Sequence, residues 1–147
     1  MTREEQLLLK SINRAVIKYR GSYALWSRRS GISYHELLLL YSLRDEEVVS
    51  QKMLCDHYLL PKQTVHNVFA AYRRKGYLEQ VPGSGKERFF RLSPAGETYA
   101  ATVLQPMGEA ELTILAAMGE ERVRLMAELM AEYGHLVEQK LVNEELN

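Results

Sequence analysis

Between Lys62 and Arg74 the sequence carries hydrogen-bonding and cationic side chains at helical spacing: Lys62, Gln63, Thr64, His66, Asn67, Arg73 and Arg74. The carboxamides of Gln63 and Asn67 each pair a donor with an acceptor. An adenine edge presents the complementary pair, and a good bidentate match discriminates by about 1–3 kcal/mol. Lys62, Arg73 and Arg74 border this strip as phosphate-type cations, and Thr64 suits a phosphate or a thymine methyl. On the opposite side of the same helical wheel stand Val65, Val68 and Tyr72, flanked by Phe69. That side should pack inward and leave Gln63, His66, Asn67 and the small Ala70 facing out. A second basic group, Lys86, Arg88 and Arg91, lies in or beside a glycine-containing stretch, Pro82 to Lys86. Lys86 and Arg88 are expected to reach a nucleic-acid backbone or minor groove, and Arg91 to brace the segment. This is the chemistry of recognition, not of bond making.

No catalytic constellation competes with it. The chain has no glycine-rich phosphate loop after a strand, no nucleophile elbow and no paired carboxylates with cleft-like spacing. An enzyme is not expected, nor a cofactor. His35, His57, His66 and His135 are scattered without ligand spacing, so no metal site is expected either. The single cysteine, Cys55, excludes an internal disulfide and reads as a buried structural thiol.

The elements that must position the polar strip follow from periodicity and caps. Leu8, Ile12, Ala15, Tyr19, Tyr23 and Trp26 mark a long amphipathic helix from about Arg3 to Arg28, with little local core to cover. Ser33-Tyr34-His35-Glu36 has the capping-box pattern, and a leucine-rich helix to about Leu43 follows it. Asp45, Glu46 and Glu47 make a polar turn. Ser50 caps a short helix to about His57, in which Met53, Leu54 and Cys55 face inward. Tyr58-Leu59-Leu60 then turns into Pro61, which suits a first helical turn, and that helix runs to Lys75 before Gly76 stops it. Tyr77–Val81 and Arg88–Leu92 read as two short strands. Ser93-Pro94 restarts a helix that passes Pro106, with a kink expected there, and reaches Met118. Beyond Gly119 a last helix to about Asn143 carries the apolar stripe Val123, Met126, Ala127, Met130, Tyr133, Val137 and Leu141.

A short helix, a tight turn, a second helix and a basic hairpin together spell a winged helix-turn-helix. The fold class is therefore mainly α with a small β-hairpin wing, plus a helical dimerisation region. Three segments are expected: a dimerisation helix over 1–30, the winged helix-turn-helix lobe over 31–96, and dimerisation helices over 97–147.

At 147 residues and 46% hydrophobic content the chain can bury a core without a staple. Its net charge is zero, yet Tyr58 to Arg91 holds seven basic residues against two acidic ones, and Gly108 to Asn147 nine acidic against three basic. One surface suits phosphates and another should stay off them. The N-terminus lacks the apolar run of a signal peptide, and the leucine run Leu37–Leu40 is far short of a membrane span. A cytoplasmic protein without membrane contact is expected.

Leu60-Pro61-Lys62-Gln63-Thr64-Val65, Arg74-Lys75-Gly76-Tyr77-Leu78-Glu79 and Leu92-Ser93-Pro94-Ala95-Gly96 together resemble the MarR family of bacterial transcriptional regulators. The likeness spans essentially the whole chain. It implies a homodimer with interlocked first and last helices, bound to pseudo-palindromic double-stranded DNA, most often as a repressor relieved by a small molecule or by cysteine oxidation. Two positions depart from the family pattern. Gly85-Lys86-Glu87-Arg88 replaces the usual Asp-x-Arg of the wing, so Arg88 is assigned by position. Leu59 replaces a glycine common in the turn, which should change only the local backbone. Tyr19, Tyr23, Trp26 and Tyr34, with Met107, are the candidate lining of an effector pocket for an aromatic or amphipathic molecule. The rival reading is a winged-helix protein-interaction module that does not read DNA sequence.

Overall fold

The computed structural model describes residues 1–143. The last four residues of the 97–147 segment, with Glu144 and Glu145 of the acidic tail, lie outside the described residues. The described chain forms two compact units, Met1–Leu104 and a second beginning at Gln105.

In the first unit, α1 (Arg3–Arg29) opens on a capping box that pairs Thr2 with Glu5, and α2 (Tyr34–Asp45) on the expected one between Ser33 and Glu36. Each box satisfies two backbone N–H groups that the first helical turn would leave open. Asp45 closes α2 and is not part of the turn that follows it. The backbone then makes a two-residue strand, β1 (Val49–Ser50), before α3 (Gln51–Tyr58). The sheet thus has three strands where sequence periodicity indicated two. Its order is β1-β3-β2, all antiparallel, with β2 at Leu78–Val81 and β3 at Phe89–Leu92. The two expected strands are each one residue shorter at their start, so Tyr77 and Arg88 stand just outside the ladder.

Helix α4 (Lys62–Arg74) begins after Pro61, which occupies the N-cap itself and not the first turn. Its end is a Schellman motif: Gly76, at φ 75°, donates to the Arg73 carbonyl, and the Tyr77 N–H reaches back to Tyr72 at 2.9 Å. The core gathers Leu37, Leu39 and Leu40 from α2, Leu54 from α3, and Val65, Phe69 and Tyr72 from α4, together with Val49 and Phe90 of the sheet, all essentially inaccessible. The alternation of inward and outward residues on α4 is what drives its docking.

α5 (Pro94–Met118) runs unbroken past Pro106. Its entry is fixed by Ser93, whose hydroxyl donates to the Gly76 carbonyl at 2.5 Å and accepts from the Gly96 N–H at 3.0 Å. Gly96 has to be glycine: a Cβ there would lie 2.1 Å from the Tyr77 carbonyl oxygen. The Leu-Ser-Pro-Ala-Gly stretch is thus a clamp on the end of α4. Tyr77 and Tyr99 stack at 4.5 Å above it, and both meet Tyr72 edge-on. Burial pushes the Tyr72 phenol far above its usual range, so it stays neutral.

In the second unit, α6 (Glu120–Glu138) ends in a π-helical turn, Gln139–Asn143, where one continuous helix was expected. None of its residues is buried.

Candidate nucleic-acid interface

Helix α4 presents two chemically distinct sides. Val65 is 1% exposed and Phe69 and Tyr72 are inaccessible. Lys62, Gln63, His66, Asn67, Arg73 and Arg74 are all exposed, while Thr64, Val68 and Ala70 are half-buried. The expected polar strip therefore lies open, with Thr64 and Ala70 set back at its margin. Gln63 Nε2 donates to Asn67 Oδ1 at 2.8 Å, one helical turn along. Pro61 offers no side-chain cap, and the first helical bond runs from the Val65 N–H to the Pro61 carbonyl. The N–H groups of the first turn and the positive end of the helix dipole thus point out beside the strip, a geometry that favours an anion.

Three contacts fix the wing to helices α3 and α4. Phe69 of α4 meets Phe90 of β3 edge-on at 5.4 Å, and the Arg73 guanidinium lies 5.4 Å from the Phe90 ring centre. Arg73 is therefore braced on the wing's root, whereas Lys62 stands at the far end of the helix. The third contact joins Ser50 to Glu87. The Ser50 hydroxyl accepts from the Met53 N–H at 3.1 Å, as the expected N-cap, and donates to the Glu87 carboxylate. Glu87 thus ties the wing to the start of α3, next to the β1–β3 pairing of Ser50 with Phe89. Beyond that anchor, residues 82–88 are exposed, Lys86 and Arg88 among them. Arg91 pairs across the ladder with Glu79 at 3.3 Å, the bracing role expected of it.

Some features of the site were not foreseen. Glu87 and Ser50 are 37 residues apart, and no spacing rule links them. The Gln63–Asn67 bond was detectable as an i, i+4 amide pair. Leu59, in the turn, adopts φ 49°, ψ 47°, the left-handed conformation that glycine favours, with its side chain 62% exposed. Cys55 is half-buried, not buried: α3 has only Leu54 fully inside, because the helix is short and covers the core with one residue.

The aromatic candidates for an effector pocket are only partly gathered. Tyr19, 63% exposed, meets Tyr23 edge-on at 5.1 Å, and the Arg20 guanidinium lies 5.6 Å from the Tyr34 ring centre. Trp26, Tyr23 and Tyr34 are half-buried, and Met107 is buried. A surface depression on α1 is lined by Lys10, Asn13, Arg14, Ile17 and Lys18, none of them aromatic. Among the described residues no cluster of histidine, cysteine and carboxylate groups could hold a metal ion, and no helix is long and apolar enough to cross a membrane.

No family model and no curated protein matches the sequence. Solved structures do. A MarR family regulator from Neisseria meningitidis superposes with a TM-score of 0.75 at 26% identity, covering 98% of this chain and 100% of that one. The transcriptional regulator BldR from Sulfolobus solfataricus gives 0.69 at 17% identity, over 90% and 99% of the two chains. NadR, solved in complex with 4-hydroxyphenylacetate, gives 0.73 at 16% identity, over 83% and 91%. The order of helices, the small three-stranded sheet and the near-complete coverage agree with the motifs around α4 and the wing: the chain has the winged helix-turn-helix fold of the MarR family transcriptional regulators it superposes on.

Proposed function

We propose that the protein is a sequence-specific DNA-binding regulator that acts as a homodimer on a pseudo-palindromic operator, most simply as a repressor. The observation that carries this is the open strip of Gln63, His66 and Asn67 on a helix whose reverse side is locked into the core by Val65, Phe69 and Tyr72. In a major groove such a helix presents its N-terminal residues to base edges. Lys62, Thr64, Arg73 and Arg74 serve the flanking backbone, and Lys86 and Arg88 the neighbouring phosphates or minor groove. Two such lobes bind half-sites about 34–36 Å apart, one turn of the duplex.

A second copy is supported by the apolar surface of α6, where Leu125, Leu129 and Leu136 are each about half exposed. A face of that kind on a helix with nothing buried marks an association surface. A small-molecule effector is supported by the Tyr19–Tyr23 pair and by the Arg20 cation over Tyr34, with Trp26 on the same helix, which together suit an aromatic carboxylate. The solved neighbour with 4-hydroxyphenylacetate is of that ligand class.

The test is a DNA selection on the purified chain, followed by affinity measured against salt. A preferred inverted sequence is expected. Replacing Lys86 and Arg88 with alanine should weaken binding to all sequences and flatten the log–log salt slope by about 0.9 per lost phosphate contact. A chain with no preferred sequence, whose binding fades uniformly near physiological salt, would instead be a winged-helix interaction module.

A further inference from the structure

The internal bond between Gln63 and Asn67 has a consequence for which bases the helix reads. With Gln63 Nε2 donating to Asn67 Oδ1 at 2.8 Å, the outward-facing groups are the Gln63 oxygen and the Asn67 nitrogen. Turning both carboxamides by half a rotation reverses the internal bond and again leaves one outward oxygen and one outward nitrogen. As long as the pair is bonded, it shows the groove one acceptor and one donor. Showing two donors would set the two amide oxygens face to face and break the link.

We propose that Gln63 and Asn67 read as one coupled unit and that the unit selects two adjacent bases of one strand, one of which carries an exocyclic amino group, adenine N6 or cytosine N4, beside a base acceptor on the other. In the major groove only adenine and cytosine supply that amino donor, while guanine presents two acceptors through N7 and O6. A step that offers acceptors alone, such as two guanines on the contacted strand, therefore satisfies only half of the unit. This rests on the operator-binding reading and specifies the sequence class that such binding selects. Both side chains are exposed and sit in the first turns of α4, the part of a recognition helix that contacts base edges. Each amide orients the other, so removing either frees its neighbour to rotate in water and loses both outward contacts together.

The experiment is a double-mutant cycle on the selected operator at one salt concentration, using Gln63→Ala, Asn67→Ala and the double variant. Alanine favours the helix and neither side chain touches the core, so the variants fold; circular dichroism checks this. Each single variant is expected to lose about tenfold in affinity, and the double variant to lose about the same. In repeated selections both singles should relax the same two adjacent positions. Gln63→Glu gives a separate readout. Its carboxylate accepts from the Asn67 amide, turns the Asn67 oxygen outward and leaves two acceptors showing, so the preference should move to amino-bearing bases at both positions. Independent readers would lose about a hundredfold in the double variant, because uncoupled losses multiply, and would relax separate positions. That result overturns the coupled unit and leaves operator binding intact. A wild-type chain without any preferred sequence overturns both.

Discussion

The winged lobe from α2 to β3 has buried its apolar side chains, and α6 has not. Every buried residue of the described chain lies between Ser27 and Met107. Beyond Met107 the helices still carry large apolar side chains, with Leu112 at 66%, Leu125 and Leu129 at 55% and Leu141 at 75% exposure. The two regions do not differ in composition so much as in closure. In the winged lobe, α2, α3, α4 and the sheet surround one another, so each periodic stripe meets another stripe. α6 carries large apolar side chains too, and none of its residues is buried. The contrast separates a region closed on its own core from one whose apolar side chains stay exposed, and it sets the proposed reading helix and the proposed pairing surface on different elements.

The largest effect expected from this contrast lies in the lobe. Phe69 is inaccessible and meets Phe90 across the junction of α4 and the wing. Phe69→Ala removes a ring and leaves a cavity, and should cost about 3–5 kcal/mol of unfolding free energy in urea titrations. Leu129→Ala, at an exposed site, should cost under about 0.5 kcal/mol in chains dilute enough to be monomeric. If the two substitutions prove equally costly under those conditions, the two regions share one core and the contrast is wrong.

A smaller effect is expected in assembly. Leu125→Lys with Leu129→Lys places two charges in the proposed pairing surface and should weaken dimerisation by at least about 2 kcal/mol, some thirtyfold, by sedimentation equilibrium. The melting transition of the lobe should hardly move. Unchanged dimerisation would move the pairing surface away from α6.

The same contrast explains what could be read in advance. Elements of the lobe were legible because each carries both a cap and a periodic face: Ser33 with Glu36, Ser50 before α3, Pro61 before α4, Gly76 after it. Val65 and Tyr72 followed from spacing alone, and with them the outward strip, whereas Val68, expected inside, is half-buried and Phe69, expected only at the flank, is inaccessible. β1 was not legible. Two residues, Val49 and Ser50, have no alternation to detect, and the serine already served as a cap. Its strand character comes from β3, about 40 residues away, through pairing to Phe89 and Phe90. The Glu87 anchor was hidden for the same reason, as a contact created by topology. Cys55 was misjudged because a cysteine's apolar character says nothing of how much of an eight-residue helix the core can cover. On α6 the stripe through Met126, Met130 and Val137 was visible, but the exposed Leu125, Leu129 and Leu136 lie on another side of the helix and were not part of it. Periodicity also cannot tell a face buried in the chain from one left for another molecule.

The smallest expected effect tests whether the lobe is closed in backbone as well as in side chains. Leu59 sits between α3 and α4 in the left-handed region at φ 49°, yet its side chain is 62% exposed and contributes little burial. A residue with a Cβ pays about 1–2 kcal/mol in that conformation. Glycine avoids the clash and loses roughly 0.5–1 kcal/mol of unfolded-state entropy in exchange. Leu59→Gly should therefore stabilise the lobe by about 0.5–1 kcal/mol in urea titrations. Leu59→Ala is the control: it retains the Cβ, and with it the strain, while removing the rest of the side chain. A gain for glycine with none for alanine assigns the strain to the backbone. Equal gains would place the cost in the exposed leucine itself, and the turn would then be relaxed as it stands.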